Sequence, residues 1–169
     1  DKEWNYLDGY YDIIFEGAQG LLLSQENFGL YPHVTPSTVG IKNAELMIKC
    51  PHPIEYVYVT RSYLTRHGNG PFNSEPMPES VKDVSNVTNE FQGDFRFGKF
   101  SESELSRMFS LINEDLDGRI LSNSAKATIA VTHLDQLSNP KLLECAKYIA
   151  MGPSTKDVFQ RDLNYRVFE

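Results

Sequence analysis

Residues Ile13-Ile14-Phe15-Glu16-Gly17-Ala18-Gln19-Gly20 decide how this chain is read. Three apolar residues suited to a buried strand run directly into a turn holding two glycines and a glutamine. In α/β proteins ligands gather just past the carboxyl end of such a strand. Backbone N–H groups are unpaired there, and a glycine lets the chain approach a phosphate closely. On pattern alone, a plain strand followed by a glycine turn stays open as the other reading.

The totals narrow the classes. A chain of 169 residues is a one-domain length with room for a hydrophobic core. Hydrophobic content of 40% and charged content of 23% are those of an ordinary soluble protein. A net charge of −7 argues against a nucleic-acid partner. Cys50 and Cys145 are too few for a disulfide framework, which points to a reducing, cytoplasmic setting. No apolar run reaches membrane-spanning length, and Asp1 to Trp4 do not resemble a signal peptide, so no membrane partner is expected. The Asn86-Val87-Thr88 sequon is accordingly given no weight.

Further along, Tyr31-Pro32-His33-Val34-Thr35-Pro36-Ser37 reads as a stiff loop, its prolines bracketing a histidine and a threonine. Ile41, Ala44 and Ile48 share one helical face, and Pro51 and Pro53 end that helix. Ile54 to Thr60 alternates as a strand. Residues 73 to 90 are polar and contain prolines, and read as a long mobile loop. Ser101-Glu102-Ser103-Glu104 is a capping box opening a helix with Leu105, Met108, Phe109 and Ile112 inward. Its end, Asn113 to Gly118, invites a calcium reading. The twelfth position of such a loop would be Ser124 rather than a glutamate, so a solvated turn is preferred. Ala127 to Val131 is a buried strand capped by Thr132-His133-Leu134-Asp135. Pro140 opens a helix through Lys147, with Leu142, Leu143 and Ala146 inward. Tyr148 to Met151 is a last strand ending at Gly152-Pro153. The fold class expected is α/β.

Taken in order, these stretches resemble the adenylosuccinate synthetases. Phe15-Glu16-Gly17-Ala18-Gln19-Gly20 is similar to their signature, whose glutamine contacts the phosphate of the purine nucleotide. Thr35 takes the position of the phosphate-binding threonine in their Tyr-Pro-Phe-Val-Thr-Ser-Ser segment. The resemblance thus implies that Gln19 and Thr35 converge on one phosphate without net positive charge. Thr60 to Phe72 is similar to their Tyr-x-Thr-Arg-Val-Gly-x-Gly-Pro-Phe block. That places His67, standing where the family has valine, and Gly68 at the substrate nucleotide.

Phe91 to Gly98 matches a loop that is arginine-rich in the family and here offers only Arg96. The resemblance implies that Gly93 and Arg96 face the carboxylates of aspartate, Arg96 also touching the nucleotides. A guanidinium suits that task because its donor fork meets a carboxylate with two parallel hydrogen bonds. Thr132-His133-Leu134-Asp135 is similar to the family's Thr-Lys-Leu-Asp. It implies a guanine pocket formed by His133, Leu134 and Asp135, with Met151 and Gly152 as the other wall. An aspartate that merely caps the next turn stays open there.

The fold implied is the C-terminal part of a P-loop-NTPase-like mixed sheet with flanking helices and long active-site loops, residues 1–169 forming one unit. No Gly-x-x-x-x-Gly-Lys phosphate loop occurs in the chain. The catalytic residues and the ligands of Mg2+ are therefore expected in an N-terminal portion absent here, and none is assigned within it. The reaction implied condenses IMP with aspartate using GTP, or ATP, in an enzyme that is a homodimer at full length. The wording of several motifs looks more like a short divergent branch that makes 2-aminoadenylosuccinate from dGMP. A reading of another class is a non-catalytic nucleotide-binding module or regulatory subunit.

Overall fold

Alternation in Glu55-Tyr56-Val57-Tyr58-Val59 sends the tyrosines to one side of strand β1 (Glu55–Arg61) and the valines to the other. The computed structural model describes residues 14–48, 54–78, 81, 90, 93–119, 126–152 and 158–160. Expectations that fall on Ile13, Cys50, Pro51, Pro53, residues 86–88, Phe91, Gln92, Ser124 and Pro153 lie outside the described residues.

β1 pairs in parallel with β4 (Lys126–Thr132), from Glu55 opposite Lys126 to Arg61 opposite Thr132. β4 pairs in parallel with β5 (Ala146–Ala150), and β5 pairs antiparallel with β6 (Val158–Gln160), in the order β1-β4-β5-β6. Among the described residues three helices accompany the sheet: α1 (Ile41–Ile48), α2 (Glu102–Asp117) and α3 (Pro140–Cys145). The result is the α/β architecture expected, a mixed sheet with flanking helices. Among the described residues no helix is long and apolar enough to cross a membrane.

The core lies where α1 and α2 meet the tyrosine side of the sheet. Ile129, Val131 and Leu142 are fully buried, with Ile41, Leu105, Ile112 and Leu116 packed into the same cluster. Each such side chain contributes about 1.5–3 kcal/mol by leaving water. Ser101 caps α2 as its capping box foretells, its Oγ accepting from Glu104 N at 3.2 Å. Asn139 does the same for α3, accepting from Leu142 N at 3.2 Å.

Several expectations are corrected. Ile14 and Phe15 form no strand, and Ile14 is 89% exposed. A strand needs a neighbouring ladder for its N–H and C=O groups, and no described strand runs alongside this segment. Phe95–Gly98, read as a loop, is strand β3. It pairs antiparallel with β2 (Leu64–His67) in a second, two-stranded sheet. Of 73–90, residues 79, 80 and 82–89 lie outside the described residues; in the rest, Glu75 forms a bridge with Lys99 and Val81 is buried.

The acidic end of α2 is not simply solvated. Asp115 caps α1, its carboxylate accepting from Ile41 N at 3.2 and 3.3 Å and from the Tyr58 hydroxyl at 2.9 Å. Beside it Glu45, on the inward face of α1, is 1% exposed and accepts the Tyr56 hydroxyl. Burial raises Asp115 above the usual carboxylate range. Burial, and then the acid each phenol faces, raise Tyr56 and Tyr58 above the usual tyrosine range.

Candidate functional site: a cleft between two loops and a corner at the sheet edge

The segment joining Gln19 to Thr35 closes on itself. Thr35 N donates to Leu23 O at 2.7 Å, and Gln25 N donates to Ser37 O at 3.0 Å. Ser24, almost wholly buried, accepts Val39 N at 3.2 Å through its hydroxyl. Leu21–Leu23 and Phe28–Leu30 become short 3₁₀ turns within this closure. Gln19 itself has φ +71°, in the left-handed region where a non-glycine side chain is strained.

The closed loop is fastened to the end of β2 by an arginine. Arg66 donates from Nη2 to His33 O at 3.1 Å and from Nε to Asn69 O at 2.9 Å. Gly70, at φ +108°, lies so close that a Cβ there would run into Arg66 Nη2 and His33. Between loop and hairpin lies a cleft of about 240 Å³ lined by Gln19, His33, Thr35, Arg66, His67 and Asn69, among others. Gln19 and Thr35, singled out from distant motifs, share this one cleft.

Beside these two neutral side chains the wall also includes the Arg66 guanidinium. Burial, and then the charge of Arg96 beside it, lower the pKa of Arg66 from the usual arginine value. It nevertheless stays cationic. Sequence reasoning passed over this residue. The signal available was an arginine fixed two positions before Gly68 in the Thr65-Arg66-His67-Gly68 block.

The hairpin also assembles the residues expected near ribose and aspartate. Gly68 N donates to Asp94 O at 3.0 Å, and a Cβ on Gly93 would sit 3.9 Å from the Gly68 Cα. Arg96 donates from Nη2 to Gly68 O at 2.6 Å and to Gly70 O at 2.9 Å, its guanidinium 5.3 Å from the Phe72 ring centre. Both Nη2 hydrogens therefore hold the glycine loop in place. His67 sets its ring edge-on to Phe95 at 5.5 Å, and its Nε2 is buried without a hydrogen-bond partner.

A second corner forms where β4 and β5 end side by side, the carboxyl edge at which open α/β sheets place ligands. Leu134 N donates to Ala150 O at 3.3 Å and Asp135 N to Met151 O at 2.7 Å, which brings His133, Leu134, Asp135, Met151 and Gly152 together. His133 has φ +60°, its carbonyl accepting the Ser62 hydroxyl at 2.8 Å. Its Nδ1 lies 2.8 Å from the Thr132 hydroxyl. The Asp135 side chain is exposed and accepts from Gln136 Nε2 at 3.2 Å. Ring contacts run from this corner towards the cleft: His133 to Tyr63 at 5.9 Å, Tyr63 to Phe97 at 6.4 Å, Phe97 to Phe95 at 6.3 Å, and on to His67.

Comparison with known proteins decides the kinship. The family described as adenylosuccinate synthetase matches residues 4–96, over half of the 169. The chain belongs to the adenylosuccinate synthetase family. That stretch contains Gln19, Thr35, Arg66, His67, Gly68, Gly93 and Arg96, and the β4–β5 corner lies beyond it. The adenylosuccinate synthetase of Buchnera aphidicola is 32% identical over 165 residues, 90% of this chain and 34% of its own. That of Lachancea thermotolerans is 31% identical over 157 residues, covering 90% and 33%. That of Saccharomyces cerevisiae is 28% identical over 165 residues, covering 95% and 35%. The chain thus spans about a third of the length of the curated family members it matches. No solved structure matches it.

Proposed function

We infer that this chain is the nucleotide- and aspartate-holding part of an adenylosuccinate synthetase, a ligase that joins the amine of aspartate to the purine ring of IMP at the expense of GTP. The observation that carries the reading is the shared cleft, in which an amide, a hydroxyl and a guanidinium meet although they come from three separate motifs. Those three groups suit a phosphate monoester: the arginine supplies charge, and Gln19 and Thr35 supply directed hydrogen bonds. A cleft of about 240 Å³ is smaller than the about 300–1,000 Å³ usual for whole ligands, so it suits a sugar phosphate with the base extending outward.

In this reading the cleft holds the monophosphate and Gly68 lies along the ribose. Arg96 steadies that glycine loop and offers its remaining donors to the aspartate carboxylates. Asp135, with His133, Leu134, Met151 and Gly152, holds the base of the triphosphate donor. The chain's own contribution to the chemistry is alignment and charge neutralisation, which is where phosphoryl transfer gains most of its rate. Mg2+ supplies charge neutralisation on the phosphates in such a reaction. Among the described residues no three His, Cys, Asp or Glu side chains come together as a metal site. Its ligands and the general acid and base would belong to the part of the enzyme that this chain does not span, and the full-length enzyme would be a homodimer. A cytoplasmic location follows from the same reading.

Calorimetric titration of the chain with IMP, dGMP, GTP and ATP in turn tests this. Saturable binding of IMP together with GTP is the expected result. Tighter binding of dGMP than of IMP would favour the 2-aminoadenylosuccinate branch. Binding of nucleotides by a reconstituted enzyme that forms no C–N bond would favour a non-catalytic module. No binding of any purine monophosphate would overturn the reading.

A further inference from the structure

Ser24 is a polar residue buried in a segment that is otherwise mostly wet. It is 4% exposed, and its hydroxyl accepts Val39 N at 3.2 Å from the far side of the Thr35 loop. Backbone bonds flank that contact: Thr35 N donates to Leu23 O at 2.7 Å, and Gln25 N donates to Ser37 O at 3.0 Å. Residues 23–25 are thus fastened to residues 35–39 at three points. Val39 is in turn referenced to the core, because Asp115 on α2 accepts Ile41 N two residues on. Between them Gly40, at φ +114°, lies so near that a Cβ would run into the same carboxylate. Without the Ser24 hydroxyl, Val39 N would face a methyl group instead of an acceptor, a cost the loop relieves by moving.

We propose that Ser24 is a positioning residue: its hydroxyl ties the base of the loop to the entry of α1, and so fixes Thr35 in the cleft. The proposal rests on reading that cleft as the site of a phosphate monoester. Ser24 is not in its wall, whereas Leu23 and Thr35 are, so Ser24 acts on a ligand only through them. Arg66 holds the same loop at His33 from the hairpin side. Thr35 therefore lies between two pins, one at His33 and one at Val39. A hydroxyl that must meet a phosphate oxygen tolerates little displacement, and pinning its loop on both sides removes the freedom that binding would otherwise have to remove.

The test titrates IMP into the 169-residue chain and into Ser24→Ala, Thr35→Val and the double variant, with the melting temperature of each recorded. Ser24→Ala is expected to bind IMP about tenfold more weakly, the result if the unpinned loop holds the competent arrangement about a tenth of the time. In the Thr35→Val background the same change should cost less than about twofold, because the hydroxyl to be positioned is already gone. A role in stability alone would lower the melting temperature and leave no such coupling, so equal costs in the two backgrounds overturn the proposal. IMP affinity within about twofold of wild type in Ser24→Ala overturns it as well. Should Ser24→Ala fail to fold, amide hydrogen exchange of the wild-type chain decides. Protection of Thr35 N and Val39 N is expected there, and exchange as fast as that of a free loop overturns the pinning. Wild-type chain that binds no purine monophosphate counts instead against the functional reading, while the exchange measurement still tests the pinning, so the two failures are separable.

Discussion

Removing the Arg66 guanidinium should do two kinds of damage, and the structure lets them be separated. One is positional: bonds of 3.1 Å to His33 O and 2.9 Å to Asn69 O hold the loop carrying Thr35 against the hairpin carrying His67. The other is electrostatic, since Arg66 is the cation in the wall of the cleft beside Gln19 and Thr35. Hydrogen bonds from a charged donor contribute about 1.5–3 kcal/mol each, and partial exposure keeps these two at the lower end. Part of that is lost as ligand affinity, together with the direct attraction for phosphate. Arg66→Ala should therefore weaken IMP binding by about 2–3 kcal/mol, or roughly 30- to 150-fold. Arg66→Lys keeps the charge but loses the fork, and should fall between, at roughly 5- to 30-fold. Calorimetric titration at low and high salt reads both parts. Screening should shrink the gap between wild type and Arg66→Ala, while the deficit of Arg66→Lys should persist because it is geometric. IMP affinity within twofold of wild type in Arg66→Ala would refute the reasoning. Arg66→Lys matching wild type would refute the positional half.

Other consequences can be checked independently. Burial raises the folded pKa of Asp115 above the unfolded value of about 3.9, so its contribution favours the fold fully below that pH and is lost as pH rises through the folded pKa. Asp115→Asn should accordingly flatten the pH dependence of the urea midpoint above about pH 4, and parallel curves for the two proteins would contradict this. Asp115→Ala strips the acceptor from Ile41 N and the Tyr58 hydroxyl together and should cost about 2–4 kcal/mol, seen as a lower midpoint at unchanged slope. Asp135→Asn should weaken GTP relative to ATP in competition titrations, and unchanged donor selectivity would remove the base-recognition role. Tyr63 is 1% exposed between the β4–β5 corner and the hairpin, so Tyr63→Leu should destabilise the fold by about 2–4 kcal/mol in a denaturant titration.

Much of the architecture was written locally. The alternation at Ile54–Thr60, the capping box at Ser101–Glu104, the apolar run at Ala127–Val131 and Pro140 at a helix start each act within a few residues, and each appears where expected. The order of the motifs identified the family for the same reason: spacing along a chain needs no three-dimensional information. The apolar Ile14 and Phe15 misled because apolar character alone provides no ladder, and no described strand lies beside them.

What the chain alone determined is therefore its class and its kinship. Tertiary structure decided the rest. β2 and β3 are four residues each and exist only because Leu64–His67 meets Phe95–Gly98. Glu45 is buried, and Asp115 caps a helix distant in sequence, because α1 and α2 pack side by side. Arg66 enters the cleft, and His67 Nε2 is buried beside Phe95, through contacts between segments far apart in the chain. Pattern reports what a residue prefers among its neighbours in sequence, whereas burial and pairing depend on which distant segment arrives, and that is settled only when the whole chain folds.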